Sequence, residues 1–179
     1  MIIGITGKSG SGKTTYACQI AEGTDFWVIN IDKIAHNIMN LTDNQWLLKD
    51  IFGAEAIKDG VVDRKYIGDL LFTNRHKYEA MCDVIWYQMK CEIDRILSMH
   101  ENVILDWILL PHTHYWKMCD KKILVVADEE DRKRRVMVRD NISAEYLSKR
   151  DAAGISYNNI AFDQIIYTTK EEYRNAQTI

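Results

Sequence analysis

The chain has 179 residues, 47% of them hydrophobic and 27% charged, which is the balance of one globular domain. A net charge of -3 supplies no global basic field, so charge does not point to a nucleic-acid partner. The apolar run at residues 1–6 is cut by Gly7 and Lys8, too short for a secretory leader, and no run approaches the ~20 residues of a membrane span, so a cytoplasmic protein that engages no membrane is expected.

Residues 1–6 (MIIGIT) form a continuous apolar run bounded by glycine, the pattern of a fully buried parallel strand. A helix is expected over residues 13–22, ended by Gly23, and a second buried strand over residues 26–30 (FWVIN). Asp32 lies just beyond that strand, where a new helix begins. Residues 32–100 contain no convincing strand. Within them, residues 76–100 read as a helix, because Tyr78, Met81, Cys82, Ile85, Trp86, Met89, Ile93, Ile96 and Leu97 recur at spacings of three and four and make a core stripe.

Strand signals return at residues 103–110 (VILDWILL) and 122–127 (KILVVA), followed by a charged helix over 129–139, an edge strand over 164–167 and a terminal helix over 170–176. Buried strands separated by helices predict βαβ units, hence an α/β fold with a five-stranded parallel sheet flanked by helices in a single domain, residues 1–179. The helical insert between the second and third strands is the natural substrate side. Cys18, Cys82, Cys91 and Cys119 show neither CxxC spacing nor a nearby histidine pair, so reduced, mostly core thiols are expected rather than a structural metal.

The chemistry is carried by Gly7-Lys8-Ser9-Gly10-Ser11-Gly12-Lys13-Thr14, which matches GxxxxGK[ST] without deviation, after a strand and before a helix. Glycines let backbone N–H groups turn inward around phosphate oxygens, and the helix N-terminus adds its partial positive charge. The expectation is a phosphate cradle made by Gly7, Ser9, Gly10, Ser11, Gly12, Lys13, Thr14 and Thr15, binding ATP with Mg²⁺. Lys13, a partly exposed charge, would reach the β- and γ-phosphates, and the Thr14 hydroxyl would ligate the metal.

Three further features combine a chemical role with a plainer one. Asp32, beyond the second strand, suits a carboxylate that orients an acceptor hydroxyl and takes its proton; its residue type by itself favours a helix N-cap. Asp106 ends the hydrophobic run Val103-Ile104-Leu105 and is a candidate second metal ligand, although a lone hhhhD pattern is a weak signal. In the basic run Arg132-Lys133-Arg134-Arg135, followed by Arg139, the pair Arg135 and Arg139 is four apart and shares a helix face, fit to close over phosphates. Arg132, Lys133 and Arg134 are assigned to solvent.

The order of these motifs resembles the dephospho-coenzyme A kinase family of P-loop kinases. Residues 5–14 are similar to its LTGGIGSGKST opening, and Val28-Ile29-Asn30-Ile31-Asp32-Lys33-Ile34-Ala35-His36 to its VIDADxIAH segment. Phe52-Gly53 with Asp59-Gly60-Val61-Val62-Asp63-Arg64 is similar to FG…DGxxxR, Leu71-Phe72 to its IVF position, and Asp106-Trp107-Ile108-Leu109-Leu110 to DxPLL. Arg135-Val136-Met137-Val138-Arg139-Asp140 resembles the RxxxRD helix, and Ala161-Phe162-Asp163-Gln164-Ile165-Ile166 the late AADxVI strand.

The resemblance implies a P-loop NTPase fold with a helical acceptor-binding insert over residues 32–100 and a lid over 139–161. It also implies ATP-dependent phosphorylation of the ribose 3′-hydroxyl of dephospho-CoA, a small-molecule acceptor. Lys13, Asp32 and Arg139 would then be catalytic, with Asp32 as base, Arg64 and His36 near the acceptor, and Arg135 on phosphate. The chain departs from the pattern at Asn30 (first Asp of DAD), at Trp86-Tyr87 (the HP pair), at Ile108 and His112 (PLLFE), and around Ala152-Ala153, where the lid's glutamine is absent. ATP handling is therefore expected to be intact and the acceptor site to be the altered part. The departures leave open a relative acting on a nucleoside, a nucleotide or another small alcohol, and a silent ATP-binding protein as the remaining alternative.

Overall fold

A computed structural model of the protein describes residues 1–71, 75–152 and 154–168. The elements are β1 (Ile2–Thr6), α1 (Lys13–Ala21), β2 (Trp27–Asn30), α2 (Ile31–Met39), α3 (Thr42–Phe52), β3 (Ile57–Lys58), β4 (Val61–Val62), α4 (Arg64–Leu71), α5 (Arg75–Met99), β5 (Val103–Asp106), α6 (Tyr115–Met118), β6 (Lys121–Ala127), α7 (Glu129–Asp140), α8 (Ala144–Ala152) and β7 (Gln164–Thr168). They group into two compact units, one formed by residues 1–30 with the chain from His100 onward, the other by Ile31–Met99.

The first unit holds a five-stranded sheet in the order β2-β5-β1-β6-β7, parallel at every pairing. Its core joins Ile3 and Ile5 of β1, Ile104 of β5, and Ile123 and Val125 of β6 to Ala17 of α1. Covered strands need apolar side chains on both faces, which is why these segments read as unbroken apolar runs. Each fully buried isoleucine stabilises the fold by roughly 1.5–3 kcal/mol.

The register pairs both Ile5 and Asn30 with Asp106, so β1, β2 and β5 end level. Gly7, Asn30 and Asp106 therefore emerge at one carboxyl edge, where open α/β sheets bind ligands. At the other side β7 forms the expected edge strand, with Ile165 and Tyr167 exposed.

The apolar run at 103–110 is strand only as far as Asp106. The Trp107 N–H still donates to the Ile5 carbonyl (3.1 Å), and the chain then turns into a 3₁₀ segment, Leu110–His112, containing Pro111. Leu110 is fully buried there, so its apolar character marked burial and not strand.

In the second unit Leu48, Phe52, Ala56, Val62 and Ile67 form the core. Against expectation this unit contains strand: β3 and β4 pair antiparallel around Asp59 and Gly60, both at positive φ (52° and 78°). Two-residue strands are too short to show a period. The helix expected over 76–100 is α5, with Ile85, Met89 and Ile93 buried. The expectations for Phe72, for the Tyr78 side chain, for Ala153 and for a terminal helix at 170–176 lie outside the described residues. Of the cysteines only Cys119 is buried, while Cys18 and Cys91 are exposed, which corrects the expectation of mostly core thiols.

Candidate functional site

The phosphate loop runs from Gly7 to Gly12 between β1 and α1. Two glycines are demanded by space. A Cβ on Gly7 would stand 2.2 Å from the Val125 carbonyl oxygen, and one on Gly10 would stand 2.6 Å from Val136 Cγ2, at a φ of 80° that L side chains rarely adopt. The loop is thus pressed between β6 and α7. From its far side Thr168 of β7 donates to the Ser11 carbonyl at 2.7 Å. Lys13 and Thr14 open α1 directly behind the loop, and Thr15 follows, half-buried. Lys13 is only 9% exposed, more enclosed than the partly exposed charge expected.

Beneath the loop Thr14 Oγ1 donates to Asp106 Oδ2 at 2.5 Å. Asn30 Nδ2 donates to the same carboxylate oxygen at 2.8 Å and approaches Thr14 Oγ1 at 3.3 Å. Asp106 is 1% exposed. A buried carboxylate beside a threonine hydroxyl is an all-oxygen donor set, which suits a hard cation such as Mg²⁺. Among the described residues no cluster of three or more His, Cys, Asp or Glu could hold a metal alone. Such an ion would share its shell with phosphate and water, as Mg²⁺ does at phosphoryl-transfer sites.

Above the loop stand α7 and α8. Asp128 caps α7 by accepting from the Glu130 and Asp131 N–H groups at 3.1 and 3.0 Å, which sets the register of its arginines. Arg139 Nη2 donates to Ser9 Oγ at 3.1 Å, and Arg150 Nη2 of α8 approaches the same hydroxyl at 3.4 Å. Asp140 binds both guanidiniums, Arg139 Nε at 2.7 Å and Arg150 Nη1 at 2.9 Å. Burial alone would raise the Asp140 pKa; the two guanidiniums outweigh it and hold the carboxyl below its ordinary value. Arg135 donates from Nη1 to the Gly10 carbonyl at 3.4 Å and so contacts loop backbone.

Arg132 overturns its assignment to solvent. It is 1% exposed, while Lys133 and Arg134, on the other side of α7, are 40% and 65% exposed at the side chain. Arg150 was missed altogether. The start of α8 was nevertheless visible in Ser143, whose Oγ accepts the Tyr146 N–H at 3.1 Å, and in the Glu145–Lys149 pair at helix spacing.

In the second unit Asp32 occupies the first turn of α2, inside the helix and not at its cap. Arg64 Nη1 lies against the His36 imidazole, in contact with Nε2. Burial is the main cause lowering the His36 pKa, Arg64 adds to it, and Asp32 opposes. A cavity of about 460 Å³ between α2 and α5 is lined by Ile34, Ile38, Leu41, Tyr87 and Cys91. Its α2 residues lie on the face opposite Asp32 and His36, so it does not serve those side chains.

The family model for dephospho-CoA kinase matches residues 1–162. The chain belongs to the dephospho-CoA kinase family. The dephospho-CoA kinase of Fusobacterium nucleatum subsp. nucleatum is 33% identical over 155 residues, covering 83% of this chain and 78% of that protein. The dephospho-CoA kinase of Latilactobacillus sakei subsp. sakei is 30% identical over 154 residues, covering 83% and 76%. Among solved structures, a crystal structure of a Thermus thermophilus protein superposes with a TM-score of 0.77 at 28% identity, covering 99% of this chain and 94% of that one. A shikimate kinase from Bacteroides thetaiotaomicron superposes at a TM-score of 0.51 with 14% identity over 99% and 94%, a likeness of fold alone. With membership in the dephospho-CoA kinase family the chain is an ATP-dependent transferase of P-loop fold.

Proposed function

We propose that the protein transfers the γ-phosphoryl group of ATP to the ribose 3′-hydroxyl of dephospho-CoA. The observation that carries this is the joining of the Gly7–Gly12 loop to Lys13, Thr14 and Asp106 below and Arg139 and Arg150 above, in a chain of the dephospho-CoA kinase family. Phosphoryl transfer asks little covalent chemistry of a protein and depends on positioning and charge stabilisation.

In this proposal the loop N–H groups and Lys13 bind the β- and γ-phosphates, with Ser9, Ser11 and Thr15 completing the cradle. Thr14 and Asp106 hold Mg²⁺, which when bound neutralises phosphate charge. Asn30, at the first acidic position of the family segment, contributes an amide that orients Asp106. Arg139 and Arg150 neutralise charge on the transferring group, and Arg135 steadies the loop. Asp32 accepts the acceptor's proton. His36 and Arg64 bind the acceptor, for which the imidazole offers a hydrogen-bonding edge and the guanidinium a phosphate contact.

An acceptor panel with ATP and Mg²⁺ tests the assignment. ADP release above the basal rate should be greatest with dephospho-CoA, and the product should carry its new phosphate on the 3′-oxygen by ³¹P and ¹H NMR. A nucleoside, nucleotide or other alcohol that outruns dephospho-CoA would replace it as the acceptor.

A further inference from the structure

Arg132 lies in α7 two turns before Arg139, and its guanidinium carries five N–H donors. Nε donates to Glu129 Oε2 at 3.0 Å. Nη2 donates to Glu129 Oε1 at 2.7 Å and to Asp151 Oδ2. Nη1 donates to the Ser9 carbonyl at 3.0 Å and reaches Asp151 Oδ1 at 3.4 Å. Each donor therefore meets an acceptor, and the two carboxylates are held bidentately.

A buried guanidinium satisfied in this way is rigid, since moving any partner strands a donor or a charge away from water. The partners come from three places: its own helix, the phosphate loop and the last turn of α8. Asp151 is adjacent to Arg150, whose Nη2 is directed at Ser9 Oγ. Ser9 is thus gripped at its carbonyl by Arg132 and at its hydroxyl by Arg139 and Arg150. Gly10 completes the contact, with the Arg132 carbonyl oxygen 2.9 Å from where a Cβ would stand.

We propose that Arg132 is a positioning residue that, by binding Ser9 and Asp151 together, sets α8 and its Arg150 in register with the phosphate loop. The carbonyl contact turns the Ser9–Gly10 peptide so that its oxygen faces α7 and away from the phosphates. The Asp151 contact fixes the last turn of α8, and through it the direction of Arg150. The kinetic consequence rests on the kinase function proposed above; the coupling between α8 and the loop does not.

The experiment is a double-mutant cycle on Asp151→Asn and Arg150→Ala, with R132K as a third variant. Asp151→Asn is isosteric and keeps one acceptor, so the fold should survive, as checked by thermal midpoint. Expected is a fall of about tenfold in kcat for Asp151→Asn with the KM for ATP within about twofold, shrinking to under about twofold in the Arg150→Ala background. An equal fall in both backgrounds would overturn the proposal, because Asp151 would then act independently of Arg150. R132K, with three donors for five acceptors, should behave like Asp151→Asn; wild-type kcat in R132K would also overturn it.

Hydrogen exchange of the ligand-free protein supplies a readout without turnover. Asp151→Asn should speed exchange in both residues 144–152 and 7–12, and unchanged protection in residues 7–12 would refute the coupling. A wild-type enzyme with no acceptor-dependent transfer would sink the kinase assignment instead, and the exchange measurement would still decide this one.

Discussion

At the scale of single residues, Lys13 and Asp32 separate transfer from mere binding. Lys13 is enclosed and lies at the start of α1, directly behind the loop, where under the proposed function its charge would meet phosphate. A preorganised charge of this kind contributes several kcal/mol in the transition state. Lys13→Ala is therefore expected to lose well over tenfold in kcat/KM, more than ~1.4 kcal/mol, with little change in thermal midpoint. Steady-state kinetics beside a melting curve checks both halves. Asp32 makes a different forecast. If Asp32 is the base as proposed, Asp32→Asn keeps the shape and removes that base, so the single-turnover rate should fall on the order of 10²-fold while ATP affinity holds. Losing a carboxylate from the first turn of α2 should cost no more than about 1 kcal/mol of stability. A full-rate Asn variant would rule Asp32 out as the base.

At the scale of elements, α7 shows how helical period sorts charges that look alike in the sequence. Capped by Asp128 and ended at Asn141 in the left-handed region (φ 50°), the helix turns Arg132, Arg135 and Arg139 toward the loop around the fully buried Val136. Lys133 and Arg134 pair at i,i+3 spacing with Glu130 and Asp131; the Lys133–Glu130 contact is exposed and of small energetic weight, whereas Asp131 is buried. Arg139 is 57% exposed at the side chain, held by Asp140 and directed at Ser9, and under the proposed function it would meet the transferring phosphoryl group. Arg139→Ala should lower kcat and leave the KM for ATP close to wild type, as expected of a contact strongest in the transition state. An unchanged kcat with a raised KM would make it a ground-state ATP ligand.

At the scale of the whole molecule, the loop, α7 and α8 are held together by ion pairs, and this gives the fold an acid-sensitive seam. Hydrogen bonds from Arg132 hold the Glu129 carboxyl below its ordinary pKa, and Asp140 is likewise depressed by Arg139 and Arg150 in spite of its burial. Depressed carboxyls contribute stability that is complete above the unfolded-state pKa and is lost as pH falls through the folded-state value. The thermal midpoint should accordingly fall as pH drops from about 5 to 3, and Asp140→Asn should flatten that fall. Melting curves across this range for both proteins test it; parallel slopes would show that Asp140 takes no part.

The sheet and the phosphate loop were legible in the linear order of residues because their determinants are local. An unbroken apolar run such as residues 1–6 has no stable place except between two covered layers, and the glycines at 7, 10 and 12 meet a local backbone demand, a positive φ, although the atoms that crowd Gly7 and Gly10 belong to β6 and α7. Residues 103–110 marked the limit of that logic, since apolar side chains report burial without saying whether the backbone is strand or turn. The fate of the arginines belonged to the tertiary structure. Arg132 and Arg134 are the same residue type two positions apart in one charged helix, yet one is 1% exposed and the other 65% at the side chain. What separates them is Asp151, 19 positions away, and the Ser9 carbonyl, 123 away, both brought to one place only when α8 and the loop close on α7. A buried charge is tolerable only with its partners in contact, and those partners are chosen by packing across the fold, at distances along the chain over which a sequence pattern carries no period.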